Sequence, residues 1–190
     1  MTWLALGLAL FLGIHLTRAV APAWRDAQIA RLGEKGWKGL YTLVSLVGFG
    51  LILWGFSQAR QQPVVLWPRI PGMNHATAAL MLVATTLMAA AYVPRNHLKA
   101  KLQHPMTLSV KVWAFAHLIA NNTLADAMLF GSFLVWSILV FRAARRRPAP
   151  APAPGSVAGT AATVVVGVAL WAVFAFWAHA AWLGIAPLGR

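Results

Sequence analysis

Six apolar runs divide the chain, and polar or basic residues separate them. A bilayer core about 30 Å thick needs roughly 20 apolar residues in a helix, with about 17 as the practical minimum. Runs of this kind predict membrane-spanning helices, the fourth of them interrupted only by Lys111. The predicted segments are 3–17, 40–56, 76–93, 106–120, 124–141 and 160–183.

Proline positions indicate several helix ends. Pro94 closes the third segment and Pro187 closes the sixth. Pro105 suits the first turn of the fourth helix, where its missing N–H has no cost. The first segment lacks a positively charged start, so we expect a retained helix rather than a secretory signal.

Composition supports a membrane protein. Apolar residues make up 60% of the chain and charged residues 10%, against about 45–50% and about 25% in typical soluble proteins. We therefore predict an all-α, polytopic integral membrane helical bundle with about six transmembrane helices, in contact with membrane lipid. A net charge of +13 would also suit a nucleic-acid binder. The basic residues lie between the apolar runs, however, so topology explains them and no nucleic-acid partner is expected.

The distribution of Lys and Arg predicts the orientation in the membrane. Twelve basic residues follow the first, third and fifth segments, and three lie on the opposite side. This asymmetry places both termini outside the cytoplasm. The twelve are Arg18, Arg25, Arg31, Lys35, Lys38, Arg95, Lys99, Lys101, Arg142, Arg145, Arg146 and Arg147, and the three are Arg60, Arg69 and Arg190.

Residues 148–154 alternate proline with alanine, which predicts an extended, semi-rigid linker. We accordingly divide the chain into a five-helix membrane core (1–147), a Pro/Ala linker (148–158) and a sixth transmembrane helix (159–190).

Three histidines, His15, His117 and His179, lie inside apolar segments, where ionisable groups are functional candidates by default. Taken singly, each fits a neutral hydrogen-bonding role between helices. Taken as a pair, two imidazoles on different helices can coordinate one iron. The chain has no cysteine and three acidic residues, so a structural zinc site or a carboxylate di-iron site is poorly supported.

The other three histidines lie at segment ends. His75 and His97 flank the third segment, where interfacial solvation explains them. His104 directly precedes Pro105, and we expect it to cap the fourth helix.

Helical spacing adds candidate contacts for a cofactor. Trp113, His117 and Asn121 are four residues apart and share one helical stripe, and Phe11 and His15 share another. An aromatic ring one turn from a histidine could pack against a porphyrin, and it could equally face lipid.

Depth in the bilayer allows the two histidines to pair. Lys111 is expected to reach the inner interface, which puts His117 roughly 9 Å farther into the membrane at about 1.5 Å per residue. On the same measure, His15 lies about 5 Å from Arg18. Both histidines can therefore share the inner half of the bilayer.

The polar stretch 121–126 favours an exposed turn in which Asn and Asp cap the following helix. The alternative is a turn below the outer surface, satisfied by protein or water.

Several motifs resemble the NnrU family of bacterial membrane proteins. HPMTLSVKVWAFAHLIANNTLADAMLFGSFLVW resembles its signature region, and so do GIHLTRAVAPAWR, GWKGLYTLVSLVGFGLILWG, PVVLWP, AAYVPRN and FWAHAAWLGIAP. The resemblance covers nearly the whole chain except the Pro/Ala linker. It implies a protein of the bacterial inner (cytoplasmic) membrane, here with both termini periplasmic, connected with denitrification and nitric oxide metabolism.

The family is similar to the plastid 15-cis-ζ-carotene isomerase, an integral membrane haem b enzyme in which two histidines are linked to haem. By motif these match His15 and His117, and a His-Pro pair thirteen residues before the second matches residues 104–105. Leu16 stands where the family usually has serine, and the asparagine pair at 121–122 replaces a more usual Asn-Gly.

The resemblance thus implies a haem b protein with His15 and His117 as iron ligands and a redox or ligand-sensing role. Phe11, Trp113 and Asn121 are the further candidate cofactor contacts. Two alternatives stay open: a non-catalytic accessory or assembly protein for a denitrification complex, and a carotenoid cis–trans isomerase-like enzyme. Expected partners are denitrification membrane proteins and either nitric oxide or a hydrophobic small molecule.

Overall fold

A computed structural model describes residues 1–148 and 153–188. Apart from two isolated β-bridges, the regular structure of these residues is helical, which confirms the all-α prediction. The helices are α1 (Thr2–Val20), α2 (Pro22–Gln61), α3 (Met73–Tyr92), α4 (His97–Leu102), α5 (Pro105–Ala120), α6 (Leu124–Arg145), α7 (Val157–Val173) and α8 (His179–Leu183), with a π-helical turn, Phe174–Ala178, between the last two.

Each of the six predicted apolar segments forms a helix. Five stretches are long and apolar enough to cross a membrane, namely α1, α2, α3, α6 and the continuous stretch Val157–Leu183. The remaining helix, α5, is apolar but has 16 residues. The chain is therefore a multi-pass membrane protein. Within the predicted Pro/Ala linker (148–158), residues 149–152 lie outside the described residues, and α7 already begins at Val157.

The connection after α1, expected as a loop, is instead helical. α2 is 40 residues long and includes most of the basic residues of that connection. Gly33 interrupts it with φ 73° and ψ 163°, a conformation essentially restricted to glycine because any Cβ would clash. The kink precedes the apolar part of α2 that can cross the membrane, with Arg25 and Arg31 before it and Lys35 and Lys38 after it.

One compact unit comprises Met1–Pro68 and Asn122–Ala144 and contains α1, α2 and α6. Within it, glycines bring the backbones of α1 and α2 into contact. A Cβ on Gly48 would lie 2.7 Å from the Phe11 nitrogen, and one on Gly7 would lie 2.6 Å from the Ile52 nitrogen. Small residues allow this close packing between membrane helices, where lipid removes the usual hydrophobic drive.

The polar stretch before α6 is covered by the segment that follows α2. Asn122 is only 7% exposed, and its side-chain amide donates to the Trp67 carbonyl at 2.7 Å. The Leu66 N–H donates to the Asn122 carbonyl, and the Leu124 N–H donates to the Val64 carbonyl, both at 2.8 Å. The expectation of an exposed turn is wrong for Asn122, because this neighbouring backbone buries it.

Asp126 helps to cap α6, as expected, but its partner is Thr123 and not an asparagine. The Thr123 hydroxyl accepts from the Asp126 N–H at 3.2 Å and donates to the Asp126 carboxylate at 2.5 Å. That carboxylate also accepts from the Thr123 N–H at 3.3 Å, which completes a reciprocal capping box for α6. Asn121 closes α5, where its amide donates to the His117 carbonyl at 2.8 Å.

The second compact unit comprises Arg69–Asn121 and Arg145–Arg190. Polar side chains here donate to backbone carbonyls of neighbouring helices, which satisfies them away from water. The bonds join Ser109 Oγ to Ala84 (2.7 Å), Thr77 Oγ1 to Ala116 (2.9 Å) and Trp171 Nε1 to Ala78 (2.8 Å). A further close contact joins α7 to α3, because a Cβ on Gly167 would lie 2.6 Å from the Thr86 Cα.

Replacing Gly48 tests the contact between α1 and α2. We expect Gly48→Ala to lower the free energy of unfolding by about 1–3 kcal/mol, because the added methyl group would displace the backbone at Phe11. The control is Gly50→Ala, since a Cβ at Gly50 meets nothing within 4 Å and alanine favours the helix. Thermal unfolding of both variants in the same detergent measures the difference, and equal stability would contradict the packing account.

Candidate functional site

His15 lies on α1 with its ring orientation set by a backbone bond. Its Nδ1 is 2.6 Å from the carbonyl oxygen of Phe11, one turn earlier. Because a carbonyl oxygen only accepts, Nδ1 carries the proton and the lone pair is on Nε2. This neutral tautomer is the form of histidine that binds metals.

Aromatic rings surround the His15 imidazole within the first unit. The Phe11 ring lies 4.3 Å away, centroid to centroid, and the Tyr41 ring lies 5.0 Å away. Trp136 of α6 approaches edge-on at 6.3 Å, with 77° between the ring planes. Three helices of the unit therefore contribute rings that hold the imidazole.

An open, mostly apolar groove of about 470 Å³ lies between α1 and α6 in the same unit. Trp136 joins this groove to the rings around His15, because it belongs to both. The remaining walls are aliphatic or small side chains, so the groove suits an apolar ligand more than a polar one. They include Leu12, Leu16, Met128, Gly131 and Val135.

Two buried polar side-chain atoms have no hydrogen-bond partner among the described residues, and both belong to the first unit. They are Trp136 Nε1 and Ser45 Oγ. Ser45 lies on α2 one turn after Tyr41, whose ring contacts His15. Unsatisfied buried polar groups are rare in native proteins and call for an explanation. Trp136 also lines the groove, but its Nε1 atom is itself buried.

His117 on α5 repeats the arrangement of His15. Its Nδ1 is 2.9 Å from the carbonyl oxygen of Trp113, one turn earlier, and the two rings lie 5.5 Å apart. The same reasoning assigns the proton to Nδ1 and the lone pair to Nε2. Asn121 bonds to the His117 carbonyl through both its amide side chain and its backbone N–H, so it holds the helix end that carries His117.

The predicted site residues thus fall into two groups. Phe11 and His15 lie together in the first unit, and Trp113, His117 and Asn121 lie together in the second. In both groups an aromatic residue precedes the histidine by one turn and its carbonyl accepts the Nδ1 proton. The pairing of the two histidines on one iron stays a prediction.

Two of the remaining histidines have structural bonds. His97 starts α4 and contacts the Thr160 hydroxyl through its backbone N–H, at 3.0 Å, and through Nδ1, at 2.8 Å. His179 Nδ1 donates to the Ile185 carbonyl at 2.7 Å, where the chain turns at the end of α8.

His104 occupies the expected N-cap position of α5, but its side chain makes no capping hydrogen bond. Burial lowers the pKa of His104 below its ordinary value, and the charges of Arg145 and Arg147 lower it further. Across the described residues, no group of three or more His, Cys, Asp or Glu side chains comes together to hold a metal ion.

Sequence reasoning missed the ring partners of His15 on other helices. Tyr41 and Trp136 both lie in apolar runs, and an amphipathic aromatic side chain inside such a run is the signal that could have drawn attention to them. Their distance along the chain from His15 hides the contact, because only packing of α1 against α2 and α6 creates it.

Comparison with known proteins agrees with the motifs. The family model described as NnrU protein matches residues 3–187. No curated protein matches the chain, and no solved structure matches it. Since the family model spans nearly the whole multi-pass chain, including both histidine-bearing helices, the protein belongs to the NnrU family.

Proposed function

We propose that this denitrification-related membrane protein binds one haem b, with His15 and His117 as the residues that would ligate its iron, and serves a redox or ligand-sensing role. The observation that carries the proposal is the repeated geometry of the two histidines. Each donates Nδ1–H to the carbonyl of the residue one turn before it, which leaves Nε2 as the ligating nitrogen. Metal-binding histidines almost always donate their other ring N–H in this way.

The donor set is suited to iron in a porphyrin. Two neutral imidazoles on apolar helices are ligands that haem proteins use, whereas a thiolate ligand is excluded by the absence of cysteine. Haem needs at most two protein ligands, so a site with more donors is not required. Bound haem would supply one-electron redox chemistry and, after loss of one imidazole, a position for a diatomic ligand such as nitric oxide.

Residues around His15 would hold and orient the ligand. The Phe11 carbonyl fixes the tautomer and increases the basicity of Nε2, while the Phe11 and Tyr41 rings restrict rotation of the imidazole. The groove beside Trp136 gives one side of this cluster an apolar surface. A dry environment strengthens the bond between a neutral ligand and the metal and tunes redox potential.

Residues around His117 would act in the same way with one difference. Trp113 supplies the carbonyl and the neighbouring ring, but His117 lies in the last turn of α5. Helix ends open more easily than helix centres. The bond from Asn121 to the His117 carbonyl closes this helix end and would help to hold His117 in place.

The proposed location is the bacterial inner membrane with both termini in the periplasm. The twelve-to-three asymmetry of Lys and Arg supports this orientation. Alkaline phosphatase, which is active only outside the cytoplasm, should be active when fused to either terminus. If both fusions are inactive although the protein inserts normally into the membrane, the termini lie in the cytoplasm and the proposed orientation is wrong.

Absorption spectra of the purified protein test the ligand assignment. We expect a haem Soret band in the wild type, and we expect His15→Ala and His117→Ala each to lower haem affinity by about tenfold or more, because each removes an iron ligand. His179→Ala is the matched control, since His179 also lies in an apolar helix but bonds to a chain turn. A wild type without haem, or two ligand variants with unchanged spectra, would refute the proposal.

A pair of tryptophan variants tests whether the groove holds the ligand. Trp136→Phe and Trp171→Phe remove the same volume, but only Trp171 donates a hydrogen bond within the protein. Without haem, we expect Trp171→Phe to be less stable than Trp136→Phe by about 1 kcal/mol. With haem, Trp136→Phe should weaken haem binding, because it removes part of an aromatic ring that lines the apolar groove. Haem titration and thermal unfolding measure both effects. Unaltered haem affinity in Trp136→Phe would show that the groove takes no part in haem binding.

A further inference from the structure

The second compact unit has a large charge imbalance. Residues 69–121 and 145–190 contain nine Lys or Arg and no Asp or Glu. No carboxylate side chain of this unit can therefore offset its positive charge, and anions from outside are the natural counter-charge. The nine are Arg69, Arg95, Lys99, Lys101, Lys111, Arg145, Arg146, Arg147 and Arg190.

A pocket of about 210 Å³ lies in this unit where α3 ends and where α4 leads into α5. Its walls combine cationic and polar side chains with the first turn of α5, namely Ala91, Lys99, Gln103, His104, Met106 and Thr107. Gln103 has a φ of 62°, a region that residues with a Cβ rarely adopt and that is over-represented at ligand clamps.

Lys99 supplies a positioned ammonium group. Its Nζ donates to the Ala91 carbonyl at 2.8 Å, which anchors the charge at the wall of the pocket. An ammonium group has three N–H donors, so two more can reach an anion in the pocket. Lys101, two residues along the same helix, is not part of the pocket wall.

Further cationic groups act at the same place. His104 lines the pocket, and its lowered pKa reflects burial together with the charges of Arg145 and Arg147. These two guanidinium groups therefore lie within electrostatic reach of the pocket. Arg146, between them in the chain, is not among the charges that lower the pKa of His104.

Met106 is an exposed apolar side chain that lines the same pocket, and the exposed Tyr92 follows the pocket residue Ala91 in the chain. Tyr92 at the end of α3 is 71% exposed, and Met106 at the start of α5 is 43% exposed. Both lie where an apolar helix meets the polar connection, which is the depth of the lipid headgroups. A free phosphate ion would contact only the cationic groups of the pocket. A phospholipid would also place its acyl chains against these apolar side chains.

We infer that this pocket binds the phosphate group of an anionic phospholipid, with Lys99 as the direct donor, His104 beside it and Arg145 and Arg147 adding long-range attraction. The acyl chains would lie along Met106 and Tyr92. Basic pockets next to transmembrane helices are a recurring form of lipid headgroup recognition. The inference does not depend on haem, since the pocket belongs to the second unit and includes neither His15 nor His117.

Lipid retention by the full-length protein tests the inference. The purified protein is titrated with phosphatidylglycerol or with phosphatidylcholine of the same acyl chains, and bound lipid is counted by native mass spectrometry. We expect retention of phosphatidylglycerol, weakened about tenfold in Lys99→Gln, which is the effect expected for the loss of one charge-assisted hydrogen bond to the phosphate. Lys101→Gln removes the same charge from the same helix outside the pocket and should behave as the wild type.

Lys99→Gln could also weaken lipid retention by disturbing the local structure, so a second pair of variants tests the pocket independently of Lys99. Arg147→Gln should weaken retention of phosphatidylglycerol, and Arg146→Gln should not. Equal effects within either pair would overturn the inference, because only non-specific attraction to negative charge would remain. Equal retention of the two lipids would overturn it as well. Inorganic phosphate is added as a competitor. If it displaces the lipid at millimolar concentration with the same dependence on Lys99, the pocket binds free phosphate instead of a lipid.

Discussion

In hydrocarbon, two helices can bring their backbones into contact only where side chains are nearly absent. Gly48 of α2 meets that condition opposite Phe11, and Gly7 of α1 meets it opposite Ile52. The close approach sets where the Phe11 ring and carbonyl lie, and the carbonyl in turn orients His15. Much of what makes His15 a credible ligand therefore depends on a packing contact one turn away from it.

Several polar side chains in the two units differ in whether they have a hydrogen-bond partner. In the second unit, Ser109, Thr77 and Trp171 each donate to a carbonyl of a neighbouring helix. In the first, Ser45 and Trp136 are buried without such a partner among the described residues. Since an unsatisfied polar group in an apolar environment is costly, these two atoms are exceptions in the first unit that call for an explanation.

Much of the secondary structure follows from local sequence. Each apolar run forms a helix because lipid leaves the backbone no other way to satisfy its hydrogen bonds within one segment, and Pro105 begins α5 where its missing N–H has no cost. The helical connection in α2 was not predicted, because its mixture of charged and apolar residues resembles a loop as much as an amphipathic helix. Asn122 was expected to be exposed for a similar reason, since nothing near it in the chain shows that Trp67 will accept its proton.

The candidate site likewise has features that follow from local sequence and features that depend on how the helices pack. The sequence by itself determined the family motifs, the histidines inside apolar helices and their aromatic neighbours one turn earlier, because spacing of four residues along a helix places side chains on one face whatever surrounds it. Only the tertiary structure decided that Tyr41 and Trp136 flank His15, that a groove opens between α1 and α6, and that Lys99 and His104 line one pocket. Those contacts join residues far apart in the chain or on different elements, so they exist only after the helices have packed.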